Sequence, residues 1–150
     1  MANSGSLIAS RIMRSCLVLV ALVGLACRAN EPQWGISRGT IEFLGDSAID
    51  IPQQMTAGQA ALVTIYTFGD VDCYRPAWTR LAVTGATAVI EPFDWVVVGP
   101  ENTPCDRVLR QMPHSVSLTF SQAGPAAIRI VGWRDAIGVT DTLEYSVTVQ

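Results

Sequence analysis

The sequence predicts an all-β protein, an antiparallel β-sandwich of seven to eight strands that follows an N-terminal signal segment. Hydrophobic residues make up 49% of the 150 residues and charged residues only 15%, a composition that supplies a core and argues against disorder. Beyond residue 40, short β-branched runs alternate with Gly, Pro, Asp and Asn, and no segment keeps apolar residues at helical spacing over several turns. Short strands that are separated by turns, with no helices between them, are typical of a sandwich.

An export signal precedes the predicted domain. Two arginines, Arg11 and Arg14, lie before the apolar run CLVLVALVGLAC, which occupies residues 16–27. A membrane-spanning helix needs about 20 apolar residues, whereas a basic region, about 7 to 15 apolar residues and a small-residue end are typical of a signal peptide. We therefore expect residues 1–26 to be a signal peptide. Met13 begins a leader that is complete by itself, so translation from Met13 is an alternative to translation from the first residue.

The end of this leader resembles the bacterial lipobox, in which a Cys after a small residue receives diacylglycerol and becomes the mature N-terminus. Residues 24–27 are GLAC, with Gly24 where the lipobox usually has Leu. Ordinary cleavage after Ala26 or Ala29 is the alternative. Lipidation of Cys27 leaves an even number of cysteines for the domain, whereas cleavage after Ala26 leaves an exposed odd thiol. The sequence thus predicts a lipid anchor at Cys27, a membrane as partner and a place at the cell envelope, with a periplasmic or secreted form as the alternative.

Two cysteines remain for the exported domain, Cys73 and Cys105, and an oxidising compartment favours a disulfide between them. A pair of buried free thiols is the alternative. Zinc binding lacks support, because the two cysteines are 32 positions apart and the chain has a single His. A disulfide that closes a loop of about 33 residues is expected to stabilise the domain by roughly 3 to 4 kcal/mol.

A tether is predicted between the signal peptide and the domain. Residues 27–39 have little periodicity and contain Pro32 and Gly35, which are typical of irregular connections. Trp34 in this stretch is available to dock onto the domain. The sandwich itself is expected over residues 40–150.

The predicted strands share β-branched or alternating apolar residues, and they end at turn residues. Pro92 interrupts one of them and favours a bulge or a change of sheet edge over a central position. Alternation in the strand 78–84 places Trp78, Arg80 and Ala82 on one face. Alternation is clearest in residues 114–120, so one face of the strand that they form is expected to be solvated. The predicted strands are residues 41–44 with 49–51 (strand A, bent at 45–46), 61–68 (strand B), 78–84, 88–90 with 94–98, 114–120, 126–133 and 142–149.

This arrangement resembles a bacterial immunoglobulin-like domain over roughly residues 40–150. The resemblance depends on the strand count and on the succession of LTF (118–120), the turn AG (123–124) and IRI (128–130), a strand, glycine turn and strand that are common in such modules. It implies a binding or structural role. The pattern departs from antibody domains, because Cys73 follows strand B instead of lying in it, and the usual inter-sheet disulfide is therefore absent.

Strand parity predicts that one end of the sandwich collects three loops. If strand B runs up, the loops that hold Cys73 and Cys105 lie at the same end, and the connection 134–140 reaches that end too. Loops held by a rigid sandwich are where such folds place binding residues. The alternative is that the tryptophan of this set faces the core and that the two charged residues after it form a solvated turn. The candidate patch for a protein or glycan partner consists of Tyr74, Arg75, Trp133, Arg134 and Asp135.

Composition and spacing give little support to other chemistry. The net charge is −3, and the exported part has thirteen acidic residues against eight arginines, which argues against nucleic acid as a partner. Cys105, Met112 and His114 are copper-ligand types, but a blue-copper site needs two His. Asp70 and Asp72 are better explained as turn residues than as calcium ligands, because the EF-hand pattern is missing. We expect no metal and no cofactor.

The sequence predicts a protein that is not an enzyme. It contains no nucleophile elbow, zinc-protease motif or glycine-rich phosphate loop, and one His and no Lys leave few groups for acid–base catalysis. A lipid-anchored binding or structural module is the favoured interpretation. One alternative is a protease inhibitor that resembles chagasin, because residues 75–78 (RPAW) are loosely similar to an RPW-like loop motif of that family, although they lie on a different loop. The other is a hydrolase or accessory domain that uses carboxylates, although nothing in the sequence selects a pair.

Overall fold

The structure is a computed structural model that describes residues 32–44, 47–99, 105 and 108–150. The predicted signal peptide, the lipidation site Cys27 and the 45–46 bend of strand A lie outside these ranges. Residues Trp34–Gln150 form one compact unit. Within the described ranges, no helix is both long enough and apolar enough to cross a membrane.

The described part of the chain is all-β, as the sequence predicts, apart from a single 3₁₀ turn. It contains more strands than expected, because strand A is divided into β2 and β3, and because β1 and β4 lie in segments where no strand is predicted. In chain order the elements are β1 (Gln33–Arg38), β2 (Thr40–Glu42), β3 (Ala48–Asp50), β4 (Gln54–Met55), β5 (Ala61–Asp70), β6 (Tyr74–Thr84), β7 (Thr87–Val98), β8 (Leu109–Leu118), β9 (Gly124–Arg134), the 3₁₀ turn (Asp135–Ile137) and β10 (Val139–Val149).

Three long antiparallel pairs make up most of the sheet: β5 with β8, β6 with β7, and β9 with β10. All six strands correspond to predicted ones. The β6–β7 hairpin turns at Gly85, whose φ of 58° is a left-handed conformation that glycine adopts without strain. β5, the predicted interior strand B, pairs with β8 at one edge and with β2 and β3 at the other.

The sheet is mixed, whereas the sequence predicts purely antiparallel pairing. β9 pairs in parallel with β7 and with β2, and β10 pairs in parallel with β4. These strands are distant in sequence, so no turn sets their relative direction, and alternation specifies only which face of a strand is buried. Because β2 pairs with both β5 and β9, the strands form one curled, sandwich-like sheet around the core.

Part of the predicted tether is a strand. Gln33–Arg38 form β1, which pairs with β7. β9 accompanies β7 only as far as Ile90, so the rest of this edge has backbone groups that β1 satisfies. Just after β1 ends, the N–H of Gly39 donates to the Pro92 carbonyl at 2.9 Å. The folded domain therefore begins before residue 40, and the tether prediction is corrected over β1.

Pro92 marks the point where β7 changes its neighbour, as the sequence predicts. Opposite it, β6 contains one extra residue, since the register passes from Pro76↔Asp94 to Thr79↔Pro92. This is a β-bulge, the kind of irregularity that accommodates a proline in a ladder.

The core lies between β5 and β8 on one side and β7 and β9 on the other. The predicted alternation along β8 is confirmed: Leu118 and Phe120 are buried, and the Ser and Thr residues between apolar positions are exposed. β2 and β9 approach closely, because a Cβ atom on Gly132 would collide with the side chain of Ile41. The core cluster comprises Ile41, Met55, Val63, Ile65, Ala88, Ile90, Leu118, Phe120, Ala126, Ile128, Ile130, Val147 and Val149.

Candidate functional site

A disulfide ties two of the three connections that the sequence places at one end. Cys73, in the turn between β5 and β6, is bonded to Cys105, between β7 and β8, with their Cα atoms 5.5 Å apart. The Cys73 carbonyl also accepts a hydrogen bond from the N–H of Val97 at 3.0 Å. The third connection is the 3₁₀ turn Asp135–Ile137, which is closed by Gly138 with a φ of 64°. We call this region the three-loop end.

An open cleft of about 400 Å³ lies at the three-loop end. It brings together side chains from the end of β5, the start of β6, the end of β9 and the 3₁₀ turn after it. Three of them, Tyr74, Trp133 and Asp135, belong to the candidate patch. Trp133 is 40% exposed, so it does not face the core. The aromatic and acidic residues of the lining are Phe43, Phe68, Asp70, Tyr74, Trp133 and Asp135.

Tyr74 is held against β5 at the wall of the cleft. A Cβ atom on Gly69 would collide with the Tyr74 ring, so the glycine is what allows the ring to lie on the strand. Burial raises the pKa of the Tyr74 hydroxyl, and the carboxylates of Asp70 and Asp94 raise it further. The side chain is therefore neutral at physiological pH, and its hydroxyl both donates and accepts hydrogen bonds.

Arg134 is engaged in ion pairs within the domain and is not part of the cleft lining. Its Nη2 donates to Glu42 Oε2 and its Nη1 donates to Asp141 Oδ2, both at 2.7 Å. The hydrogen bond to Glu42, and then the one to Asp141, raise the pKa of Arg134. The pKa of Asp141 is lowered, first by the backbone N–H of Thr142 and then by Arg134. Arg134 thus connects β2, β9 and β10, which assigns it to the fold.

Arg75 also lies away from the cleft lining, for a reason that is visible in the sequence. Successive residues of a strand point to opposite faces, so Arg75 cannot share the orientation of its neighbour Tyr74. Arg75 is instead the cross-strand partner of Trp95, and its guanidinium carbon lies 4.2 Å from the centroid of the Trp34 ring. The candidate patch is therefore divided between two surfaces.

The second surface is the outer face of β1, β7 and β6. Trp78 stacks on Phe93 with ring centroids 5.3 Å apart, and it meets Trp95 edge-on at 6.5 Å. Arg38 and Arg80 both pair with Glu91 at the border of this surface. In the sequence, the alternation that places Trp78 and Arg80 on one face of their strand predicts part of this surface. We call this surface the aromatic–arginine face, defined by Trp34, Arg75, Trp78, Arg80, Phe93 and Trp95.

The single histidine lies in a buried polar cluster between β6, β7 and β8. His114 Nε2 is 2.9 Å from Asp94 Oδ1, and His114 Nδ1 is 3.2 Å from the Thr79 hydroxyl. With both ring nitrogens engaged, His114 has no free position for a metal. Among the described residues, no group of three His, Cys, Asp or Glu side chains is arranged to hold a metal ion.

These features define a class, a disulfide-containing all-β domain with sandwich-like architecture and an aromatic cleft at one end. In comparisons with known proteins, no family model, no curated protein and no solved structure matches the chain.

Proposed function

We propose that this protein is a non-enzymatic, lipid-anchored immunoglobulin-like domain of the bacterial cell envelope that binds a protein or glycan partner at the three-loop end. The observation that carries the proposal is the cleft of about 400 Å³ beside a disulfide-tied turn. Its lining is rich in aromatic side chains and also contains Asp70, Asp135 and Arg38. Export and lipid attachment at Cys27 are inferred from the leader sequence. A disulfide is compatible with an oxidising compartment.

The lining suits a partner with a flat apolar face and with hydrogen-bond donors. Arg38 also lines the cleft, where its charge is paired with Glu91. The exposed ring of Trp133 offers rigid contact area of the kind that dominates binding energies. The carboxylates of Asp70 and Asp135 accept hydrogen bonds, and the neutral hydroxyl of Tyr74 can donate one. A sugar ring or an aromatic or basic peptide side chain presents these features.

The position of the histidine favours binding over acid–base catalysis. His114 is 4% exposed and does not line the cleft. Asp70 and Asp135 are the acidic residues of the cleft lining, so they are the residues to test for the hydrolase alternative. A chagasin-like inhibitor would present the same three-loop end to a protease.

Mass spectrometry of the unreduced protein from its native membrane tests the anchor. We expect a diacylated N-terminal Cys27 and a peptide in which Cys73 and Cys105 are linked. A soluble protein that begins at Cys27 or Asn30 without lipid would contradict the anchor.

Photo-crosslinking tests the cleft. A photo-reactive residue in place of Trp133 is expected to form an adduct with one partner in intact cells. The same residue in place of Leu62, which is 63% exposed on β5 and does not line the cleft, is the matched control and should form none. Adducts of equal yield at both positions would refute the cleft as the binding site.

Variants of the cleft then separate the candidate functions. Trp133→Ala is expected to weaken binding of the isolated partner about tenfold or more, whereas Leu62→Ala should leave it unchanged. Inhibition of a protease that Trp133→Ala abolishes would favour the inhibitor. Hydrolysis of a substrate that both Asp70→Asn and Asp135→Asn abolish would favour the hydrolase and overturn the non-enzymatic proposal.

A further inference from the structure

The aromatic–arginine face exposes large aromatic side chains that no described part of the chain covers. Trp78 is 50% exposed and Trp95 is 41% exposed. Together with Trp34 they are three of the four tryptophans in the sequence. Scattered exposed hydrophobic residues are ordinary, but contiguous aromatic rings on one sheet face mark a surface that contacts a partner.

The charge of this face is opposite to that of the protein. The exported part has thirteen acidic residues against eight arginines. On the described strands β6 and β7, however, Arg75 and Arg80 belong to the face, and Glu91 is the carboxylate beside them. Glu91 is also paired with Arg38, which lies at the border of the face and lines the cleft, and Asp94 is turned inward toward His114. The face is therefore positive on an acidic domain, which selects an anionic partner.

A second copy of the chain fits this face poorly. In a symmetric dimer, the same surface meets itself, so Arg75 and Arg80 of one copy would approach those of the other. Their like charges would oppose association. An anionic surface has no such conflict.

The position of β1 places the face close to the predicted anchor. Trp34 belongs to β1, and Gln33, where β1 begins, is six positions after Cys27. An extended chain spans at most about 3.5 Å per residue, so a lipid on Cys27 would hold the start of β1 within about 20 Å of the bilayer. This step depends on the lipid anchor of the proposed function, whereas the charge and exposure of the face do not.

We propose that the aromatic–arginine face docks onto an anionic phospholipid surface, with its tryptophan rings at the headgroup level and its arginines beside the phosphates. Tryptophan rings prefer the membrane–water interface, because one edge is apolar and the indole N–H is polar. Arginines at an anionic membrane surface each contribute attraction that weakens with salt. A diacylglycerol on Cys27 has two acyl chains and anchors the chain by itself, so the added effect of the face would be to hold the domain in one orientation on the bilayer.

Vesicle co-sedimentation tests this contact without the anchor. The probe protein is the mature chain, residues 27–150, with Cys27→Ala so that no lipid can attach. We expect it to bind vesicles that contain phosphatidylglycerol, to bind vesicles of phosphatidylcholine alone much more weakly, and to lose affinity as salt rises. The tryptophan fluorescence should shift to shorter wavelength on binding, because the rings leave water.

Paired variants identify the face. Arg75→Gln with Arg80→Gln should weaken binding by about fivefold per arginine, or about 25-fold together. Glu91 keeps its ion pair with Arg38 in this variant. The matched control is Arg129→Gln, which removes an exposed arginine that pairs with Glu144 on the β9–β10 pair.

The aromatic part is tested with Trp78→Ala and Trp95→Ala, each against Leu62→Ala as the control. Circular dichroism and the unfolding temperature show whether each variant is folded. Folded tryptophan variants that bind vesicles as well as the Leu62→Ala control would overturn the proposal. The proposal would also be overturned if the parent chain bound no vesicles and the tryptophan variants instead lost self-association or binding to an isolated glycan.

The lipid anchor on Cys27 and the membrane contact of the aromatic–arginine face are tested independently of each other. If Cys27 from the native membrane lacks lipid but the Cys27→Ala chain binds anionic vesicles through this face, the membrane contact stands and the anchor fails. If Cys27 is diacylated but the Cys27→Ala chain does not bind anionic vesicles, the membrane contact fails alone.

Discussion

Removal of the His114 side chain is expected to destabilise the domain strongly, because it leaves the buried carboxylate of Asp94 without a partner. The two side chains are 2% and 1% exposed, and His114 Nε2 lies 2.9 Å from Asp94 Oδ1. Since a carboxylate oxygen accepts, Nε2 carries the proton, and Nδ1 faces the hydroxyl of Thr79 at 3.2 Å. Asp94 Oδ2 is also buried and has no hydrogen-bond partner among the described residues. His114 is therefore the group that stabilises this carboxylate.

The size of the effect follows from this burial. Removing one partner of a buried pair costs about 3 to 5 kcal/mol, against a total free energy of unfolding of about 5 to 15 kcal/mol for a domain. We expect His114→Ala to lower the free energy of unfolding by about 3 to 5 kcal/mol. Asp94→Ala leaves His114 Nε2 buried without its hydrogen-bond partner, so its expected cost is about 1 to 3 kcal/mol. The double variant should cost less than the two single costs together by at least about 1 kcal/mol.

Urea unfolding of the unreduced protein at neutral pH measures these free energies. Ser115→Ala is the control, because Ser115 is the next residue on β8, is exposed, and shares only a 2.9 Å hydroxyl pair with Thr64. Its cost should stay below about 1 kcal/mol. If the costs of His114→Ala and Asp94→Ala simply add, or if His114→Ala costs no more than Ser115→Ala, then the histidine does not hold the carboxylate and the reasoning fails.

Three further predictions concern the three-loop end and its surroundings. Replacing Cys73 and Cys105 with Ser should lower the free energy of unfolding by roughly 3 to 4 kcal/mol, and a wild-type protein that is indifferent to reduction would contradict this. Because the pKa of Asp141 is lowered by the next backbone N–H and by Arg134, its contribution to stability should be present above the unfolded value of 3.8 and be lost as pH falls through its lower folded pKa. In Asp141→Asn, the free energy of unfolding should no longer show this loss at low pH. A pH profile identical to that of the wild-type protein would count against the Asp141–Arg134 pair. Because burial and nearby carboxylates raise the pKa of Tyr74 above 10.0, stability should fall as pH rises past 10.0, and Tyr74→Phe should reduce this loss; titration at or below 10.0 by ultraviolet absorbance would refute it.

Much of the fold could be predicted because its signals are local. Alternation along β8 and β10 identifies the buried face of each strand, and Gly85 marks a turn whose left-handed conformation few other residues adopt. Pro92 predicts the irregularity at which β7 changes neighbours. The pairing of Cys73 with Cys105 follows from cysteine counting. Each of these inferences uses residues within a few positions of one another, or a pair with no competitor.

The candidate site was predictable only in part. The sequence selects the three-loop end, and Tyr74, Trp133 and Asp135 line its cleft. Arg75 could have been separated from Tyr74 by alternation alone. The role of Arg134 could not be predicted, because its partner Glu42 lies 92 positions earlier in the chain.

The sequence by itself determined the all-β class, the place of most strands, their buried faces and the cysteine pair, because side-chain periodicity and turn chemistry act within a strand or a hairpin. Only the tertiary structure decided that Gln33–Arg38 form a strand, that β7 and β9 run parallel, and that Trp34, Trp78 and Trp95 share a face. Those outcomes depend on which strand satisfies the free backbone groups of another across long separations in sequence. The physical requirement is the closure of one core with its backbone hydrogen bonds made, and no local pattern encodes it.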